Sequence, residues 1–354
     1  MKKIPVTAAA LFLALLGFMV FPKPAYGGPQ KERLYIYNWT YYTPASIIEK
    51  FEQEYGVTVI YDEFASNEEM YAKLKAGGGS GYDIIFPSGD YVSIMIHQNM
   101  LERIDKTKLS NLGNIDPLVL RKAAYDPSME YSVPYYFGAA GIAVNTARVS
   151  RFERSWSIFG RTDLRGRMTM LDDMREVLGD ALVHLGYSVN TVNPAEIEAA
   201  RALVNNTWKP NLVKFDAEAF GKGYADGDFW VVQGYPEVVF EEIGDNEQLR
   251  KDTVFFIPPE GGPAYIDSMC ILKGARHLEL AYKFIDFIHR PDIYAEFTDY
   301  FGFPATANIP ARQLKTKTPY YTAEELVNTE LKDDVGEHLE LYNNAWFNSI
   351  RMGE

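Results

Sequence analysis

The residues in this chain best equipped for chemistry are aromatics and carboxylates. Trp39, Tyr41, Tyr42, Tyr91, Tyr235 and Tyr265 fall at or just beyond the C-terminal ends of segments that read as strands. Asp90, Asp172, Asp173, Glu176, Glu237 and Asp267 fall at the same places. Basic residues are scarce there, and Arg175 is the one arginine. An aliphatic cation asks for this mixture: ring faces cover its methylenes and attract its charge, and carboxylates take its ammonium hydrogens. A polyamine, with ammonium groups at both ends and sometimes between, needs acids at separated points along an aromatic slot. An amino acid would instead call for a cation opposite its own carboxylate.

Each feature also has a structural reading. Trp39 and Tyr42, three residues apart, fit core packing as well as a cleft wall. Asp173-Met174-Arg175-Glu176 has capping-box spacing, with Asp at the N-cap and Glu three residues on. The two roles are compatible, because a helix N-terminus stabilises carboxylates that also face a cleft. Asp267 leads into an apolar strand, where a turn aspartate is commonly structural. Catalytic signatures are missing: there is no Gly-x-Ser-x-Gly, no His-Glu-x-x-His and no phosphate-cradling Gly-x-x-x-x-Gly-Lys. Gly221-Lys222-Gly223 begins a dinucleotide fingerprint and fails at Asp226. The five histidines, at 97, 184, 277, 289 and 338, are scattered. The pairs Tyr41-Tyr42, Tyr135-Tyr136 and Tyr320-Tyr321 would suit ferric iron, yet adjacent pairs are unsurprising among 24 tyrosines. The expectation is a binding protein without enzymatic activity, cofactor or metal.

The elements that must position these groups alternate strand and helix. Leu34 to Trp39 reads as a strand, and Pro44 to Gly56 as a helix with Pro in its first turn and Gly at its end. Val57 to Phe64 is a second strand. Ser66-Asn67-Glu68-Glu69 opens a helix through Lys75 with capping-box spacing, closed by Gly77-Gly78-Gly79. Tyr82 to Phe86 is a third strand, entering the turn Pro87-Ser88-Gly89-Asp90. Further on, strands are expected at Arg167 to Leu171, Leu212 to Phe215, Phe229 to Gln233 and Thr253 to Ile257. Helices are expected at Asp173 to Leu185, Pro194 to Trp208 and Leu278 to His289. This grammar implies parallel βαβ units in two α/β lobes. Ligands of such sheets sit beyond the C-terminal strand ends, where the aromatics and acids gather.

Composition sets the class. The 354 residues are 47% hydrophobic, enough for two domains with substantial cores. A net charge of −13 argues against nucleic-acid binding, which needs a basic surface. Cys270 is the single cysteine, so disulfides and thiolate zinc sites are excluded. Met1-Lys2-Lys3, an uncharged run from Ile4 to Phe21 and small residues up to Gly28 make a secretory signal cleaved near Gly27. That run is also long enough for an uncleaved anchor. No cysteine sits at the cleavage position for lipid attachment. Removing the three Lys of residues 1–27 takes −13 to −16 for the exported part.

Five stretches, in order, resemble the spermidine/putrescine-binding periplasmic proteins, the receptors of polyamine ABC importers. They are Tyr35 to Thr40, Ser66 to Leu74, Tyr82 to Ser88, Asp172 to Val177, and Asp267-Ser268 following Gly261-Gly262, and the likeness covers roughly residues 32 to 310. The resemblance implies a type II periplasmic binding fold, two α/β lobes joined by a hinge with the ligand between them. Lobe 1 would comprise 31–142 and 266–312, and lobe 2 would comprise 143–265 and 313–354. It implies ligand contacts from Trp39, Thr40, Tyr42 and Ser88 in the first lobe, from Asp173 and Glu176 in the second, and from Tyr265 and Asp267 near the hinge. It implies a periplasmic monomer that delivers spermidine or putrescine to a membrane permease.

Five positions depart from that pattern. Tyr41 stands where relatives carry an acid, and Asp90 where they often carry an aromatic. Gln233 replaces a wall Trp, Phe303 replaces a Tyr, and Lys332 appears near a usual Gln. Tyr41, Asp90, Gln233 and Phe303 are still expected at the site, whereas a cation at Lys332 would oppose a polyamine. Another small cationic or amino-acid ligand, or a sensing role on the same fold, is the alternative.

Overall fold

The computed structural model describes residues 31–40, 42–77 and 81–351, so the expected signal segment and Tyr41 lie outside the described residues. Among the described residues eleven strands run in chain order: β1 (Arg33–Trp39), β2 (Thr58–Phe64), β3 (Ile84–Ile85), β4 (Val133–Ala139), β5 (Gly141–Asn145), β6 (Met168–Met170), β7 (Leu212–Phe215), β8 (Val231–Gly234), β9 (Thr253–Phe256), β10 (Pro263–Ile271) and β11 (Glu330–Leu331). They form two sheets, each packed with helices, in the two-lobe mixed α/β arrangement expected. One sheet has the order β11-β10-β3-β1-β2 with β4 also on β10, and the other has the order β7-β6-β8-β5-β9.

Local sequence explains the parallel parts. β1 pairs in parallel with β2 and β3 because helices Ala45–Tyr55 and Asn67–Ala76 return the chain. The first helix buries Ile47 and Phe51 and stops at Gly56, whose φ of 67° suits a residue without a Cβ. In the second helix, Ser66 Oγ accepts from Glu69 N at 3.1 Å. The return arm of that box reaches Ala65 N at 2.9 Å, one residue earlier than the simple pattern. The expected third strand shrinks to two residues, and the helix of 194–208 keeps α geometry to Leu203 before a wider π turn through Trp208.

The sheets connect through two antiparallel passages. Ala140 alone separates β4 from β5, which inserts antiparallel between β8 and β9. The chain returns from β9 to β10, whose N-terminal end pairs with β4 and β11 and whose last residues pair with β3. The largest apolar cluster follows this route, joining Phe51 and Phe284 of one lobe to Phe220 and Phe255 of the other. A second cluster, around Trp156, Trp208 and Trp346, fills the second lobe. Among the described residues no helix is long and apolar enough to cross a membrane.

Candidate ligand-binding site

Asp267 sits where the β10–β4 ladder slips, between Asp267 and Ser268, and it bridges to Ser88 beyond the end of β3. The residue is 4% exposed. Tyr42 Oη donates to Oδ2 at 2.7 Å and Ser88 Oγ donates to Oδ1 at 2.6 Å. Ser88 is itself fixed by Asn67, whose Nδ2 donates to Oγ at 3.1 Å. Among the described residues no cation lies within ion-pairing distance of this carboxylate. Burial pushes the Asp267 carboxyl up to about 6, with the two hydroxyls pulling the other way.

Rings surround it. Tyr265 lies two residues away on the same face of β10. It stands 6.5 Å from Tyr136 and 6.1 Å from Tyr235, the latter edge-on at 73°. Tyr265 fits only because its neighbour on β4 is Gly138: a Cβ there would lie 2.6 Å from the Tyr265 hydroxyl. Tyr235 precedes the helix Pro236–Ile243. Burial raises its phenol, and so do the adjacent carboxylates of Glu176, Asp173, Glu237 and Asp267. Glu237 has a buried, unpartnered Oε2, and burial pushes its carboxyl up to about 7.

The second lobe supplies a further acidic group with its own cation. Asp173 caps helix Met174–His184 by accepting from Arg175 N at 2.8 Å and Glu176 N at 3.0 Å. Glu176 does not complete the box; its Oε1 takes the ammonium of Lys332 and its Oε2 is buried without a partner. Asp180, one helical turn further on, accepts from Gln233 Nε2, and burial raises its carboxyl well above the usual range. Gln233 also accepts from Leu171 N at 2.9 Å.

The remaining expected residues occupy different surroundings. Trp39 is half-buried against Phe64 and donates Nε1 to Phe86 O at 2.8 Å. Thr40 is exposed and donates to Phe64 O at 3.2 Å. Asp90 is half-buried in the first turn after Ser88; burial raises its carboxyl and Lys332 opposes the rise. Gln233 is wholly buried, and both ends of its amide serve Leu171 and Asp180. Phe303 is 1% exposed and stacks at 4.5 Å on Tyr136, so it backs the ring layer from the core. Arg175 is committed elsewhere, to Asp333 O, Asn190 and the face of Tyr342. The described tyrosines of those pairs are used in packing: Tyr135 donates to Tyr42 O at 2.7 Å, Tyr136 shares a 2.7 Å hydrogen bond with Tyr321, and Tyr320 stacks on Phe240.

Two features lay beyond the sequence reading. Asp180 follows Glu176 by four residues, a spacing that puts both on one helix face. The Lys332–Glu176 pair joins residues 156 apart, a contact no local pattern announces.

Comparison with known proteins follows the same lines. The family described as bacterial extracellular solute-binding protein matches residues 46–325. The spermidine/putrescine-binding periplasmic protein of Escherichia coli is 37% identical over 327 residues, covering 90% of this chain and 92% of its own length. Among solved structures, the TpPotD lipoprotein of Treponema pallidum superposes with a TM-score of 0.86 at 53% identity, covering 90% of this chain and 99% of that one. The PotD substrate-binding protein of Streptococcus pneumoniae does so at 0.80 and 27%, covering 90% and 98%. The chain belongs to the bacterial extracellular solute-binding proteins, in one family with the spermidine/putrescine-binding periplasmic proteins.

Proposed function

We propose that this chain is the periplasmic receptor of a polyamine ABC importer, exported through its N-terminal segment. It captures spermidine or putrescine between its lobes and passes the ligand to a membrane permease. It acts as a monomer and catalyses no reaction. The observation that carries the reading is Asp267, a buried carboxylate held by Tyr42 and Ser88 beside Tyr265, with no ion-paired cation among the described residues. Such a group is stabilised by an incoming ammonium, and the neighbouring rings can cover the methylenes. Trp39, Thr40, Tyr41, Asp90, Asp173, Glu176, Gln233 and Phe303 complete the proposed ligand surroundings, Phe303 and Gln233 acting from behind. The hinge would run through Ala140 and the segment preceding Tyr265, dividing lobe 1 (31–142, 266–312) from lobe 2 (143–265, 313–354). Ligand contacts to both lobes would favour the closed state. Arg175, turned to the tail, offers no partner to an amino-acid carboxylate.

The test is calorimetric titration of the mature, ligand-stripped protein with putrescine, cadaverine, spermidine and spermine, with arginine and ferric citrate as controls. The expected outcome is saturable polyamine binding at about micromolar Kd or tighter, roughly −8 kcal/mol or better. Silence toward all four polyamines refutes the reading.

A further inference from the structure

Glu176 already holds an ammonium, because the chain brings one of its own in Lys332. Lys332 follows β11, and its backbone N donates to Ala264 O at 3.3 Å, continuing that strand's pairing along β10. The preceding Glu330 ties the same segment to the second lobe, accepting from Ser188 Oγ at 2.6 Å and Val189 N at 2.9 Å. So fixed, the Lys332 side chain reaches Glu176 and pairs with Oε1; the Glu176 side chain is 1% exposed and the Lys332 side chain 26%. Burial works against the Lys332 charge, and Glu176, Asp173 and Asp90 outweigh it. Asp173 accepts from two backbone N–H groups, and Asp180 accepts from Gln233 through one oxygen while the other is buried without a partner. Among the described residues Asp267 and Glu237, like Asp173 and Asp180, have no side-chain cation, and Asp90 lies near both Lys332 and Asp267.

We propose that Lys332 is a tethered ammonium that fills the Glu176 end of the cleft and restricts the ligand to short α,ω-diamines. The proposal rests on the polyamine reading above and deepens it. A diamine places its two ammonium groups at Asp267 and Glu237. A triamine long enough to reach Glu176 brings its third ammonium against Lys332, and a like charge there discriminates as strongly as an added contact attracts.

The experiment compares putrescine and spermidine affinities by calorimetry in the wild type, in Lys332→Gln and in the double variant Lys332→Met/Glu176→Gln. The wild type is expected to bind putrescine at least about tenfold more tightly than spermidine. Lys332→Gln frees Glu176 and moves the spermidine-to-putrescine affinity ratio toward spermidine by about tenfold or more. The double variant, lacking both charges, stays closer to the wild-type ratio, and it keeps the test open if an unpaired Glu176 prevents Lys332→Gln from folding. A merely structural lysine would change stability and leave the ratio alone. A wild type that prefers spermidine, or a ratio unmoved in Lys332→Gln, overturns the proposal while the polyamine reading stands. A wild type that binds no polyamine overturns both.

Discussion

The Asp267 carboxyl makes ligand affinity and ligand-free stability respond to pH in opposite directions. Its pKa is raised from 3.8 to about 6 by burial. A polyamine keeps its ammonium groups charged across this range, so the ligand selects the ionised carboxylate. At pH 8 nearly every molecule has Asp267 ionised; at pH 5 about one in ten does, a loss of roughly tenfold in affinity from this group alone. Glu237, near 7, adds to the loss to the extent that it meets the ligand. Without ligand, the native chain holds a proton on Asp267 that the unfolded chain has already lost. Stability therefore falls as pH rises through about 4 to 6, by up to roughly 3 kcal/mol at neutral pH. Asp267→Asn removes both dependences. It should also cost about 2–5 kcal/mol of polyamine binding, the usual penalty for losing a carboxylate opposite a desolvated ammonium. Calorimetry at pH 5, 6, 7 and 8, in two buffers of different ionisation enthalpy, reads the affinity and the proton released near pH 6. Thermal melts of both forms over the same range read the stability difference. Wild-type affinity that stays flat from pH 5 to 8, or Asp267→Asn with unchanged polyamine affinity, would refute this account of the site.

Three further outcomes separate the site from the scaffold. Gly138→Ala places a methyl 2.6 Å from the Tyr265 hydroxyl, so it should displace that ring and weaken polyamine binding more than about tenfold, as titration would show. Ser66→Ala removes the helix cap accepted from Glu69 N and should cost about 1 kcal/mol in denaturant unfolding with ligand affinity unchanged. Phe51→Ala empties a fully buried position among Tyr55, Phe284 and Phe287, and a loss of about 3–5 kcal/mol in the same measurement is expected.

The parallel elements were legible because each strand is followed by a helix that announces its own ends, through Gly56, Ser66 and Asp173. The antiparallel passages were not. All seven residues of β4 are buried, so the strand lacks the period-two alternation that marks a half-exposed strand, and it contains Pro134. Its partner, β10, lies more than a hundred residues later, and only tertiary packing brings the two together. β11 has two residues and no local signature at all.

The same division runs through the site. Asp173 and Asp267 look alike in sequence, each an aspartate at a strand–helix or loop–strand junction, yet they end in different chemical states. Asp173 faces the first N–H groups of its helix, a role its spacing from Glu176 already suggested. Asp267 gains its character from Tyr42 and Ser88, 225 and 179 residues away, and from burial where β10 passes from its pairing with β4 to its pairing with β3. Glu176 shows the converse. Its sequence position suggests a capping partner, and the chain instead spends it on a lysine from the far C-terminal region. Residue type and spacing therefore located the acids, whereas long-range pairing decided the partners each of them finds. That is why the acids could be read from the sequence, while the Lys332–Glu176 pair could not.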